Sequence, residues 1–129
     1  MSEKILTMKL LKERYGVCRL AKTELIPEWA QNSDFFSITR TSDELSIVCS
    51  QDDIPNDINC EKDWRILKIE GPLDFSLIGI LASISTILAQ KGISIFAIST
   101  YDTDYILVKN NDIDNAISAL IKERYDVIE

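Results

Sequence analysis

The hydrophobic period changes repeatedly after residue 64, and that order constrains the fold more than any other feature. Trp64 to Glu70 reads as a strand, ended by Gly71-Pro72. From Ser76 to Gln90 the apolar positions are Leu77, Ile80, Leu81, Ile84, Ile87 and Leu88, which share one face of a helix. Asp74 or Ser76 is placed to cap its start, and Gly92 suits the left-handed position after its end. Ile93 to Thr100 and Asp104 to Lys109 are rich in Ile, Val and aromatic residues and read as strands, joined by the polar Tyr101-Asp102-Thr103. Asp112 is placed to cap a second helix with the face Ile113, Ala116, Ile117, Leu120 and Ile121, and Tyr125 to Ile128 reads as a last strand.

The order β-α-β-β-α-β is that of a ferredoxin-like unit, an α+β fold with one antiparallel sheet and two helices on one face. Its open sheet face and edge strands need cover, which a β-rich first half can supply. Lys4 to Leu11 and Tyr15 to Ala21 read as strands separated by Lys12-Glu13-Arg14. Pro27-Glu28-Trp29-Ala30 offers Pro at a first helical position, with room for about one turn. Phe35 to Arg40 and Leu45 to Cys49 flank Thr41-Ser42-Asp43-Glu44 as a β-hairpin, and Ser50 to Asn59 is polar and broken by Pro55.

The two halves also align at an offset of 60 residues: Phe36/Phe96, Ile38/Ile98 and Val48/Val108 are identical pairs. Chance similarity between two hairpins explains this. So do two copies of one βαββαβ module, the first having lost most of its helices. No Gly/Ser/Pro-rich linker separates the halves. The expected organisation is a degenerate unit over residues 1–61 and a complete one over 62–129, packed as one compact body.

Composition excludes several function classes. The 129 residues are 46% hydrophobic and 27% charged, as a packed globular chain should be. The net charge of −7 disfavours duplex nucleic acid and anionic membrane surfaces, both of which need clustered Lys/Arg. There is no His, which removes His acid/base catalysis, Ser-His-Asp and Cys-His arrangements, and His metal ligands. Cys18, Cys49 and Cys60 have no CxxC spacing, so free thiols in a reducing compartment are expected. Met1 to Lys4 leads into a mixed run unlike a signal peptide, and Leu73 to Ala89 carries too many polar residues for a membrane span. A cytoplasmic location is expected, with no metal and no cofactor. No GxxxxGK[ST], GxGxxG or GxSxG motif is present.

Three places carry chemistry. Glu70 to Ser76 is a strand-to-helix turn whose free backbone N–H groups suit a carboxylate, although Gly71-Pro72 also reads as a plain turn and Asp74 as a plain cap. Ser99 to Asp104 is six consecutive hydroxyl or carboxylate side chains, suited to an ammonium group and equally to a solvated hairpin tip. The two places are expected at opposite ends of one unit's sheet, so that joining them needs two units side by side. Asp52-Asp53 lacks a third ligand and reads as a solvated loop.

Tyr15 to Leu20, Phe35 to Thr41, Asp43 to Cys49, Glu70 to Ser76 and Gly92 to Val108 together make the chain resemble small stand-alone ACT-domain proteins, from about residue 5 onward. That group is related to cytosolic arginine sensors and to the regulatory domains of aspartate kinases. The resemblance implies tandem ACT units, a free amino acid bound at an interface between ACT units, self-association as a homodimer, and a regulatory rather than catalytic role. Position by position, it implies a ligand loop at Gly71, Pro72, Leu73, Asp74 and Phe75, and a second-strand exit at Ile98, Ser99, Thr100 and Asp102, with Asp104 beside them. The first copy departs from the pattern: no Gly-containing loop precedes its shrunken helix. A ligand-independent module docking on an enzyme or transporter is the competing reading.

Overall fold

The computed structural model describes residues 6–70 and 79–129. The chain divides into two units. One is Glu13–Trp64, and the other takes Arg65–Glu129 together with the N-terminal stretch up to Lys12.

The first unit is an antiparallel sheet. It contains β2 (Tyr15–Leu20), β3 (Ser37–Arg40), β4 (Leu45–Ser50) and the opening residues of β5 (Cys60–Ile69), in the order β3-β4-β2-β5. Two 3-10 turns, Glu28–Gln31 and Gln51–Asp53, stand in chain order where a ferredoxin-like unit has its helices. Strand, turn, two strands, turn, strand is thus the βαββαβ plan with its helices reduced. Cys18, Ala30, Leu45, Ile47, Cys49 and Ile54 form the core. Register shifts between Tyr15 and Val17, and Asp63 takes a left-handed φ of 65° on the facing strand. The Asp63 N–H donates to Gln51 Oε1 at 2.8 Å, which anchors this irregularity.

The second unit contains β1 (Thr7–Leu10), the rest of β5, α1 (Ile80–Gln90), β6 (Ile95–Ser99), β7 (Asp104–Lys109), α2 (Ile113–Lys122) and β8 (Asp126–Ile128). Strand order is β6-β7-β5-β1-β8. The expectation of a wholly antiparallel sheet is corrected here. β1 lies between β5 and β8 and runs antiparallel to β5 but parallel to β8, pairing Met8 with Ile69 and with Val127. The sheet is therefore mixed, and the α+β ferredoxin-like class holds.

Helix α1 places Ile84 and Leu88 in the core, and α2 places Ile113, Ala116 and Leu120 there, against Met8, Leu67, Ile69, Ile106 and Val108. Both helices end alike. Gly92 (φ 71°) and Arg124 (φ 72°) are left-handed, and the next N–H returns to the helix: Ile93 to the Leu88 carbonyl, Tyr125 to that of Leu120, each at 3.0 Å. Gly92 thus fills its expected place. The expected Asp112 cap is corrected: the chain enters α2 through the 3-10 turn Asn110–Asp112, and the Asp112 side chain makes no cap hydrogen bond. Residues 76–78 of the expected first helix, and its candidate caps Asp74 and Ser76, lie outside the described residues. Among those described, no helix is long and apolar enough to cross a membrane.

The repeat is real in register but offset differently. Arg40 faces Leu45 and Ser99 faces Asp104, so the two hairpins superpose at 59 residues, not 60. At that offset Thr41/Thr100, Asp43/Asp102 and Ile47/Ile106 coincide. The turns also match. The N–H of Thr41 donates to the Glu44 carbonyl at 2.9 Å, and that of Thr100 to the Thr103 carbonyl at 2.8 Å. The Thr41 hydroxyl accepts the Glu44 N–H at 3.1 Å, and the Thr100 hydroxyl the Thr103 N–H at 3.3 Å.

Candidate functional site

The C-terminal hairpin turn is built by its two threonines. Besides accepting the Thr103 N–H, the Thr100 hydroxyl donates to the Thr103 carbonyl at 3.0 Å. It is committed to the turn rather than offered to solvent. Thr103 is 4% exposed, and its hydroxyl donates to the Ile69 carbonyl at 2.7 Å. This bond corrects one expectation. Ile69 ends β5, immediately before the segment that contains Gly71, and the bond holds the 100–103 turn against it. The end of β5 at Ile69 and the hairpin tip therefore lie at the same end of one unit's sheet, because the Thr103–Ile69 bond joins them.

Alternation along β6 and β7 sorts the candidate side chains onto two faces. Ser99 pairs with Asp104, and both share the face of Ile95, Ile106 and Val108, which is the helix-covered side. Ile98 pairs with Tyr105 on the opposite face. Ser99, Thr100 and Asp102 are exposed, Ile98 and Asp104 half-buried. Ser99 and Asp104 are therefore brought together, Asp102 stands at the exposed tip, and Ile98 is directed away from them. Gly71, Pro72, Leu73, Asp74 and Phe75 lie outside the described residues.

Strand β6 pairs with β7 alone, so its outer backbone edge is open among the described residues. Ala97 and Ser99 are exposed along it. Such a shelf of small residues, with one half-buried carboxylate beside it and backbone groups along its rim, can take a small zwitterion by hydrogen bonds and one ion pair. Nothing in it resembles a nucleophile with its base. Among the described residues no group of three Asp, Glu or Cys side chains is arranged to hold a metal.

Sequence reasoning missed Thr103 as the group that ties the two segments together. The signal available was its place in a polar run between apolar strands, but nothing in the run distinguishes the one buried hydroxyl from its exposed neighbours. A shallow groove elsewhere on this unit, between α1 and the α2–β8 turn, is lined by Ser83, Thr86, Gln90, Glu123 and Arg124 and shares no residue with the candidate set.

A model for the ACT domain matches residues 59–122, and a second model, described as an N-terminal domain, matches residues 13–57. The human cytosolic arginine sensor for mTORC1 subunit 1 is 34% identical over 94 residues, covering 67% of this chain and 29% of that protein. The chain thus spans less than a third of the length of the curated relatives it matches. A structural-genomics protein from Agrobacterium tumefaciens is 39% identical, with a TM-score of 0.91, covering 98% of this chain and 94% of the other. The regulatory subunit of aspartate kinase from Thermus thermophilus shares the fold at 13% identity, with a TM-score of 0.62, over 92% of this chain and 98% of that one.

Proposed function

The chain belongs to the ACT-domain family, and from that premise we propose that it is a cytoplasmic regulatory module that binds a free amino acid. The observation that carries this reading is the buried hydrogen bond from Thr103 to the Ile69 carbonyl. It ties the acidic hairpin tip to the strand end from which residues 71–75 continue. A carboxylate-binding and an ammonium-binding segment then meet at one end of one sheet.

In the proposed mode the backbone N–H groups of Gly71, Leu73, Asp74 and Phe75 hold the α-carboxylate, with Pro72, which has no N–H, shaping the loop; this is the interaction that free strand-to-helix N–H groups favour. Asp104 or Asp102 pairs with the α-ammonium, and Ser99 adds a hydroxyl. Thr100 contributes through the turn it stabilises, since its hydroxyl is already engaged. Ile98, on the other face, supports the strand rather than the ligand. A second ACT unit, supplied by a second chain in a homodimer, completes the site along the open β6 edge. The surplus of carboxylates favours a ligand with a basic or simple ammonium group. The role is regulatory rather than catalytic.

A thermal-shift screen of the twenty amino acids tests this. At about a hundred times Kd, a ligand that binds only the folded state adds about 2.7 kcal/mol, enough for a shift of several degrees in a chain this size. We expect a shift for one amino acid or a few related ones, removed by Asp102→Ala with Asp104→Ala and weakened by Gly71→Ala. A flat screen, with a protein partner retained whatever amino acid is added, supports the ligand-independent docking module instead.

A further inference from the structure

The N-terminal unit carries a pair of thiols that neither the ACT resemblance nor the proposed ligand site uses. Cys18 on β2 is directly opposite Cys60 on β5. The next pair along, Arg19 and Asn59, shares a backbone hydrogen bond of 3.0 Å. Hydrogen-bonded and non-hydrogen-bonded pairs alternate along an antiparallel ladder, so Cys18 and Cys60 form a non-hydrogen-bonded pair, with Cα atoms about 4.5 Å apart. That separation lies within the range a disulfide spans. The Cys60 thiol's hydrogen bond is to the Glu61 carbonyl at 3.6 Å, a weak contact that leaves the sulfur able to turn toward Cys18.

Room for the sulfur comes from Gly16. A Cβ at that position would lie 2.6 Å from Cys60 Sγ and 2.4 Å from Ile54 Cδ1. The glycine thus leaves space on the face that Cys18 shares, and the Cys60 side chain can turn between Gly16 and Cys18. The third thiol is excluded by distance. Cys49 is on β4, which β2 separates from β5, placing it two strand spacings, about 9.6 Å, from β5. It is diagonal to Cys18, whose direct β4 partner is Ile47, at about 7–8 Å. Both separations exceed what a disulfide bridges without backbone movement.

We propose that Cys18 and Cys60 form a reversible intramolecular disulfide when a hydroperoxide reaches the N-terminal unit. Cys60 is half-buried and Cys18 fully buried, which assigns their order of reaction. The Cys60 thiolate attacks one peroxide oxygen; the O–O bond breaks and the other oxygen leaves as water or an alcohol. The resulting sulfenic acid is then attacked by the Cys18 sulfur. The S–S bond forms, the S–O bond breaks, and the departing hydroxide takes the Cys18 proton as water. Two thiols lose two electrons and the hydroperoxide gains them. Burial and the neighbouring Cys60 push the Cys18 thiol's pKa up, which makes it the poorer nucleophile of the two and places it second, reacting only once the sulfenic acid is held against it.

The full reduced chain is treated with hydrogen peroxide, denatured, alkylated with N-ethylmaleimide and weighed. We expect two of the three thiols to escape alkylation, a proteolytic peptide containing Cys18 joined to one containing Cys60, and return of all three on reduction. Cys49→Ser should keep the link; Cys18→Ala and Cys60→Ser should each abolish it. The half-buried Cys60 keeps the test informative if the buried Cys18 variant fails to fold. Cys60 driven to sulfinic acid while Cys18 stays alkylatable would overturn the proposal. So would a link between two chains, or one through Cys49.

Discussion

Thr103 is the one buried side chain of its run, and its hydroxyl reaches across to another strand. Replacing it with Val keeps the shape but leaves the Ile69 carbonyl without that donor. The expected cost is about 1 kcal/mol, that of one buried hydrogen bond lost, read as a lower urea midpoint at unchanged slope. If the ligand site is where we propose, Thr103→Val also weakens the amino-acid thermal shift although Thr103 touches no ligand. Gly16 is the matching position in the N-terminal unit. Gly16→Ala forces a Cβ against Ile54 and Cys60, both flexible side-chain ends, so we expect a loss of about 1–3 kcal/mol rather than failure to fold. Residue types were legible in the sequence at both positions, but their burial was not. A threonine among six polar residues and a glycine inside a strand declare themselves only when the partner strand is known.

Helix ends show how far local signals reach. Gly92 announced the end of α1 because it alone tolerates the left-handed conformation without a steric penalty. The end of α2 has the same geometry with Arg124 in the same role, and no sequence rule singles out an arginine there. Arg124→Gly should relieve that strain and raise stability by up to about 1 kcal/mol, with some of the gain offset by the freer unfolded chain. A higher Tm with an unchanged circular dichroism spectrum would confirm it; a lower Tm would mean that the arginine makes an interaction worth more than the strain. The hairpin repeat has the same lesson. Identities at 60 residues are visible in the sequence, yet hydrogen-bond register aligns the hairpins at 59. Both faces of these strands carry apolar side chains, as in Ile47-Val48-Cys49 and Ile106-Leu107-Val108, so apolar matches in the sequence do not by themselves distinguish a register from one slipped by a residue. The turn threonines do, because their backbone bonds close the loops.

The largest feature hidden from the sequence is the path of the chain. It enters the C-terminal unit with β1, leaves it for residues 13–64, and returns with β5. The βαββαβ order after residue 64 was legible because its periods are local. A four-residue strand that pairs about 60 and 120 positions away leaves no such trace. Its contribution is large all the same. Met8 and Leu10 are buried in the C-terminal core. Backbone bonds run from the Glu70 N–H to the Thr7 carbonyl at 2.8 Å, from Leu11 to Ile66 at 2.9 Å, and from Asp126 to Leu6 at 2.9 Å. A fragment of residues 62–129 holds every element of the ferredoxin-like plan, but β5 and β8 lose the strand between them. Each buried side chain removed costs about 2–5 kcal/mol, against a whole-domain stability of about 5–15 kcal/mol. We therefore expect this fragment to lack a cooperative thermal transition, and a peptide of residues 6–12 supplied in trans to restore one. If the fragment alone melts cooperatively at the temperature of the full chain, β8 has closed directly onto β5, and β1 is an addition to the unit rather than one of its structural strands.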